Sequence, residues 1–188
     1  MQDYTPPIDD YRFLLGAVLE FDRAMSDLGK DVDASLAAAV LEEGGKFSAE
    51  RLHPLNREGD EHGSALVNGD VIVPPGFAEA YRAFSEAGWP ALAADPAHGG
   101  QGLPFILQLW LDEMLSASNL SFGLFPGLTR GATEAIAAHA SDDLKARYLP
   151  PLVSGEWTGA MALTESGAGT DLALLKTKAA DRDDGSFA

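Results

Sequence analysis

The hydrophobic period of this sequence changes once, at Gly155. Before it, apolar residues recur at spacings of three and four, the repeat of an amphipathic helix. After it they alternate, the repeat of a half-buried strand. "EWTGAMALT" sets Met161 and Leu163 against Ala160 and Ala162, and "LKTKAA" alternates again. "DRDDG" carries an Asp184-Gly185 turn signal, and "SFA" reads as the opening of a partner strand. The predicted fold is therefore mainly α. An all-helical domain covers residues 1–155, and residues 156–188 are the start of an antiparallel β-domain that reads as truncated.

Glycine and proline punctuate the helical part. After "TPPIDD", Asp9 or Asp10 is placed to cap a helix carrying Leu14, Val18, Phe21 and Met25, and Gly29 stands where it stops. "DASLAAAVLEEGGKFSAERLHPLN" is a second helix former, in which Gly44-Gly45 either breaks the helix or marks close packing. Asn68-Gly69 between β-branched residues is a hairpin signal, although its flanking runs are too short to predict a sheet. Phe77, Tyr81 and Phe84 share a face of the next helix, with Gly88 and Pro90 at its stop. "ADPAHGGQGLP" is an irregular loop, after which Pro104 suits the first turn of "PFILQLWLDEMLSAS". Apolar residues circle that segment for two turns, which predicts burial. "LFPGLTRGATEAIAAHA" is a further helical segment. Ser141 or Asp142 caps "DDLKARYLPPLVSG", with Pro150-Pro151 at its end or edge.

A net charge of −16 repels phosphate backbones and anionic membranes, so nucleic acid is not an expected partner. The absence of cysteine excludes disulfides, thiolate metal sites and cysteine nucleophiles. "MQDYTPPIDD" lacks the features of a secretory signal, and no apolar run reaches the ~18 residues of a membrane span. The expected setting is soluble and cytoplasmic. His53, Asp60, Glu61 and His62 lie close together in "HPLNREGDEH", but the stretch reads as a solvated polar loop, and no metal site is expected. His98 and His139 read as structural, the latter suiting a helix C-terminus.

The specific stretch is "MALTESGAGTDLALLKTKA". It is not a P-loop, because no lysine follows the second glycine. It is not the dinucleotide fingerprint, because Leu172 stands where the third glycine belongs. Gly167 and Gly169 permit positive φ and close backbone approach, and Thr164 and Thr170 add hydroxyls at either end. Such a loop either forms a nest of N–H groups for an anion or simply connects two strands.

"YLPPLVSGEWTGAMALTESGAGTDLALLKTKA" resembles the acyl-CoA dehydrogenase family, at the junction of its N-terminal helical domain and its central β-domain. "GWPALAADPAHGGQGLP" is similar to the family's Trp-Pro…Gly-Gly-x-Gly segment. "YTPPIDDYRFLL" resembles the larger bacterial members, including the methylmercaptopropionyl-CoA dehydrogenase-like subgroup. The resemblance implies an FAD enzyme in which a glutamate removes the α-proton of an acyl-CoA. The β-hydride passes to flavin, and a trans-2-enoyl-CoA results. It implies electron-transferring flavoprotein as the oxidant of the flavin, and a homo-oligomer, dimer or tetramer, at full length.

Carried over residue by residue, Met161 and Leu163 match positions on or near the flavin ring. Thr164 matches the threonine at the ring's pyrimidine edge. Gly169 and Thr170 match the pair that contacts flavin phosphate or bound acyl-CoA. Thr170 departs from the usual serine, and Ser166 from the usual proline, which loosens the loop. The resemblance also sets "PFILQLWLDEML" and "LFPGLTRG" beside the acyl tunnel, while Trp110 and Phe125 equally fit a core. No catalytic residue is assigned: none of Glu113, Glu134, Glu156 or Glu165 matches the family's base, which belongs to a C-terminal bundle. The chain alone is expected to be inert. The alternative is a non-catalytic binding or assembly subunit that pairs with a partner chain completing the β-domain.

Overall fold

A computed structural model describes residues 3–187. Helix α1 (Ile8–Phe13) runs into a wide π-turn (Leu14–Val18), and α2 (Phe21–Asp27) follows. The wide turn adds a residue, and Glu20 turns the chain with φ +43°. The buried stripe is therefore Tyr11, Leu15, Phe21 and Met25, while Val18 is exposed and Leu14 only partly covered. Asp9 and Asp10 occupy the first turn of α1 rather than its cap, which is Pro7. Gly29 ends α2 with φ +63°, as the sequence predicts.

Asp33 caps α3 (Ala34–Phe47) by accepting from the Leu36 N–H at 2.7 Å. Gly44 and Gly45 lie inside this helix and do not break it. A Cβ on Gly44 would sit 2.9 Å from Leu111 Cδ1, and one on Gly45 would sit 2.7 Å from Pro6 Cβ. They mark close packing. A second π-turn (Ser48–Leu52) leads to α4 (His53–His62). The polar stretch read as a loop is thus helical. Arg57–Glu61 at 2.6 Å and His62–Glu58 at 3.3 Å support it from i,i+4 positions.

Strands β1 (Ala65–Val67) and β2 (Asp70–Ile72) pair antiparallel around Asn68-Gly69, both with positive φ. The turn chemistry suffices to close a sheet of three-residue strands. α5 (Phe77–Glu86) ends at Gly88, φ +78°. The longest element, α6 (Phe105–His139), is two helices joined at Asn119, whose φ −158° and ψ 91° interrupt the spiral. Pro104 stands just outside its first turn. α7 (Asp142–Val153) follows. α6 packs on α3, α4 and α7, and the core is centred on Leu41, Leu52, Leu107, Leu111, Met114 and Leu115.

Candidate functional site

Asn119 sets the frame. It is buried, its Oδ1 accepts from the Phe122 N–H at 3.0 Å, and its Nδ2 donates to the Leu52 carbonyl at 3.2 Å. The side chain thereby caps the second half of α6 as the first half ends. The two halves fold back as a V. Arg130 on one arm reaches Asp112 on the other at 2.6 and 2.9 Å. The mouth of the V, closed by α7 and Trp89, holds a cavity of about 190 Å³. A second, more open cleft of about 510 Å³ lies beside the hairpin, with Val73, Phe77, Tyr81, Phe122 and Phe125 on its walls. The sequence pointed to it through the aromatic face of α5, the Asn-Gly turn and "LFPGLTRG", which carries Phe125.

Beyond α7 the chain turns at Gly155, φ +78°, where a Cβ would meet Ser85 Oγ at 2.6 Å. The Tyr81 hydroxyl donates to the Gly155 carbonyl at 3.1 Å. The Gly159 N–H donates to Thr129 Oγ1 at 3.1 Å, and a Cβ on Gly159 would meet that of Ala132 at 2.6 Å. Gly155 seats the chain against α5, and Gly159 seats it against the second half of α6.

From there the tail leaves the body. Met161 is 62% exposed and Leu163 38%, and Thr164, Gly169 and Thr170 are exposed as well. The alternating stretches 157–164 and 175–180 form no ladder. The antiparallel contacts here are single bridges, Glu165 with Ala168 and Asp181 with Phe187. A strand satisfies its N–H and C=O groups only against a neighbouring strand, and the described residues supply none for 157–164.

The glycine loop itself is a tight turn. The Glu165 N–H donates to the Ala168 carbonyl at 2.9 Å, and the Ala168 N–H returns to Glu165 at 3.2 Å. The Glu165 carboxylate also accepts from the Lys176 N–H at 3.0 Å and the Thr177 N–H at 2.8 Å. The Thr177 side chain and these N–H groups hold its carboxyl below the usual carboxylate range. Gly167 and Gly169 do not use the positive φ open to them, and a Cβ on either would meet nothing within 4 Å.

The pattern of the acyl-CoA dehydrogenase N-terminal domain matches residues 36–156 of this chain. The chain belongs to the acyl-CoA dehydrogenase family. It is 37% identical over 186 residues to 3-methylmercaptopropionyl-CoA dehydrogenase of Ruegeria pomeroyi, covering 98% of this chain and 32% of that protein. It is 35% identical over 182 residues to a butyryl-CoA dehydrogenase of Syntrophomonas wolfei, covering 94% and 30%. The fold superposes on the crystal structure of an acyl-CoA dehydrogenase complexed with FAD from Bacillus anthracis. That match has a TM-score of 0.67 at 22% identity, over 82% of this chain and 25% of the other. The chain thus spans about a third of the length of the curated relatives it matches.

Within this acyl-CoA dehydrogenase domain the two residues left between tunnel and core separate. Trp110 is core, 8% exposed and stacked on Tyr11 with ring centroids 4.9 Å apart. Phe125 is half exposed, stands edge-on to Tyr81 at 5.1 Å and borders the larger cleft. The "PFILQLWLDEML" helix is buried on most sides but not all, for Phe105 and Leu109 reach solvent. Glu134 pairs with Arg130, Glu165 is occupied by backbone donors, and Glu113 and Glu156 are exposed. An apolar pair, an adjacent hydroxyl and an uncrowded glycine turn, all facing outward, suit in chemistry a planar ring with a polar edge and a phosphate. No helix among the described residues is long and apolar enough to cross a membrane.

Proposed function

We propose that this chain supplies the helical body and the first flavin-facing segment of an FAD-dependent acyl-CoA dehydrogenase. The observation that carries the reading is the outward presentation of Met161, Leu163 and Thr164 ahead of the Glu165–Ala168 turn, directly after the region matched to the family. In this reading residues 1–155 are the helical domain and 156–188 begin a β-domain. Met161 and Leu163 lie against the ring, the Thr164 hydroxyl meets its pyrimidine edge, and Gly169 with Thr170 meets phosphate or acyl-CoA. Held by these residues, FAD would supply the hydride acceptor for oxidation of an acyl-CoA to a trans-2-enoyl-CoA, with the α-proton passing to a base. The chain's own part is to orient and to exclude water. Apolar Met161 and Leu163 keep water from one ring face, and Thr164 fixes the edge.

The proton acceptor lies outside these residues, because the four candidate glutamates are paired, occupied or solvated. Residues 1–188 alone are therefore inert, holding one wall of a site that needs several. We place the enzyme in the cytoplasm, as a homo-oligomer reoxidised by electron-transferring flavoprotein. The second reading, an assembly subunit, draws on the same exposed apolar residues, which a partner chain would equally cover.

Two experiments decide. FAD titrated into the intact protein is expected to saturate, and Thr164→Val to weaken it; no saturable binding overturns the reading. Residues 1–188 mixed anaerobically with acyl-CoA and an electron acceptor are expected to give no enoyl product. Turnover there would end the claim of inertness.

A further inference from the structure

Between residues 156 and 187 the one buried residue is Ala168, so hydrophobic burial cannot set the shape of the glycine loop. Gly167 and Gly169 have no atoms near their Cβ positions, and Ser166 leaves the turn without a fixed φ. Backbone entropy favours an open loop unless directional bonds oppose it. Those bonds converge on one residue. The main chain of Glu165 closes the turn on Ala168 in both directions. Its two carboxylate oxygens reach 11 and 12 positions along the chain, to the N–H of Lys176 at 3.2 and 3.0 Å and of Thr177 at 2.8 Å. Hydrogen bonds to an ionised acceptor are roughly twice as strong as neutral ones, and this one is bidentate.

We propose that Glu165 is a positioning residue: its carboxylate locks the returning segment at Lys176 and Thr177 onto the glycine turn and so fixes where Thr164 and Thr170 present their hydroxyls. The inference rests on the flavin reading above. Thr164 adjoins the clamp on one side, and Thr170 leaves the turn on the other. Both hydroxyls therefore inherit their separation from Glu165 rather than from a packed core. Both carboxylate oxygens already accept from backbone donors, so the residue's part here is to orient.

The test compares wild type, Glu165→Gln and Glu165→Ala in the intact protein. Hydrogen exchange at the Lys176 and Thr177 amides is expected to accelerate about tenfold or more in Glu165→Ala, the scale of a lost bond to a charged acceptor. Glu165→Gln, with a single acceptor oxygen, falls between. FAD affinity is expected to drop by about tenfold in Glu165→Ala, with altered fine structure in the bound flavin's visible band and an unchanged thermal midpoint. Unchanged amide exchange overturns the clamp. Faster exchange with unaltered affinity and spectrum overturns the positioning role and leaves the flavin reading standing. A wild-type protein with no affinity for FAD overturns the flavin reading, and this inference falls with it.

Discussion

The helical body and the tail after Gly155 hold their shapes by different means. In the body, Leu15, Leu52, Leu107 and Met114 are fully buried, and Leu41, Leu111 and Leu115 are 1% exposed. In the tail, Met161, Leu163, Leu172, Leu174 and Phe187 all face outward. What holds the tail is a series of carboxylates bonded to nearby backbone: Glu165 to Lys176 and Thr177, Asp171 to Ala173, and Asp184 to Ser186. A helix pairs its own N–H and C=O groups, so a short run of chain needs only one apolar partner face. An alternating segment must find both a strand and a face. The helical part of this sequence pairs its own backbone, and the alternating part finds no partner strand for 157–164 among the described residues.

The sharpest way to break the contrast is one substitution made twice. Leu111→Ala empties a filled core position beside Gly44 and is expected to cost about 2–5 kcal/mol by urea denaturation. Leu163→Ala, at a partly exposed position, is expected to stay within about 0.5 kcal/mol. Equal losses would show that the tail is as firmly packed as the body. Next in size is Asn119→Ala. It removes the cap from Phe122 and the buried bond to the Leu52 carbonyl, at an expected cost of about 1–3 kcal/mol. A smaller loss would mean that the V of α6 is set by the Asp112–Arg130 pair instead.

How much of this was legible depended on how local the cause was. Gly29, Gly88 and the Asp184-Gly185 turn are local, and each stands where the sequence puts it, with positive φ at all three glycines. Gly44-Gly45 stayed ambiguous because its meaning lies in Leu111 and Pro6, remote in sequence. The bend in α6 was legible in part, since the sequence reads as two helical segments, one ending at Ser118 and the next beginning at Leu124, but its cause was not. Pro126 looks like the breaker, yet it is accommodated within the second half, and the break falls at Asn119 through its bond to Leu52. The π-turn at Leu14–Val18 set Leu15 rather than Leu14 in the first buried stripe, which no spacing argument anticipates. For the site, the identity of Met161, Leu163, Thr164, Gly169 and Thr170 came from resemblance, and their exposure from the fold. Glu165 was weighed only as a base, since its partners lie 11 and 12 residues away.

Alkaline titration separates the two regions again, because the perturbed phenols belong to the body. Burial, with the Glu113 charge nearby, raises Tyr4 to about 12 and pushes Tyr11 well above the phenol range; burial also raises Tyr81. Folded-state values above the unfolded ~10 mean that the unfolded chain releases its protons first. Stability is therefore full below pH ~10 and declines as pH climbs through the folded values. Tyrosinate absorbance is expected to lag behind that of the denatured chain and to rise together with loss of helical circular dichroism. Full ionisation near pH 10 with the helices intact would place these hydroxyls in solvent.

The smallest expected effect on stability is the most telling about function. A Cβ on Gly167 meets nothing within 4 Å, and its φ is not positive, so Gly167→Ala is expected to change stability by no more than about 0.5 kcal/mol. Nothing inside the described residues therefore asks for glycine here. A glycine that its own fold leaves unused is explained when something outside the fold approaches the backbone closely. On the flavin reading, that approach is the cofactor or the acyl-CoA. Gly167→Ala is then expected to leave denaturation and the amide exchange of Lys176 and Thr177 unchanged while weakening FAD or acyl-CoA binding in the intact protein. Gly155→Ala is the opposite control. Its φ of +78° and the 2.6 Å approach to Ser85 Oγ make it costly to the fold itself. If Gly167→Ala binds both ligands as wild type does, no ligand approaches the turn at that residue, and the loop is only a connection between two segments.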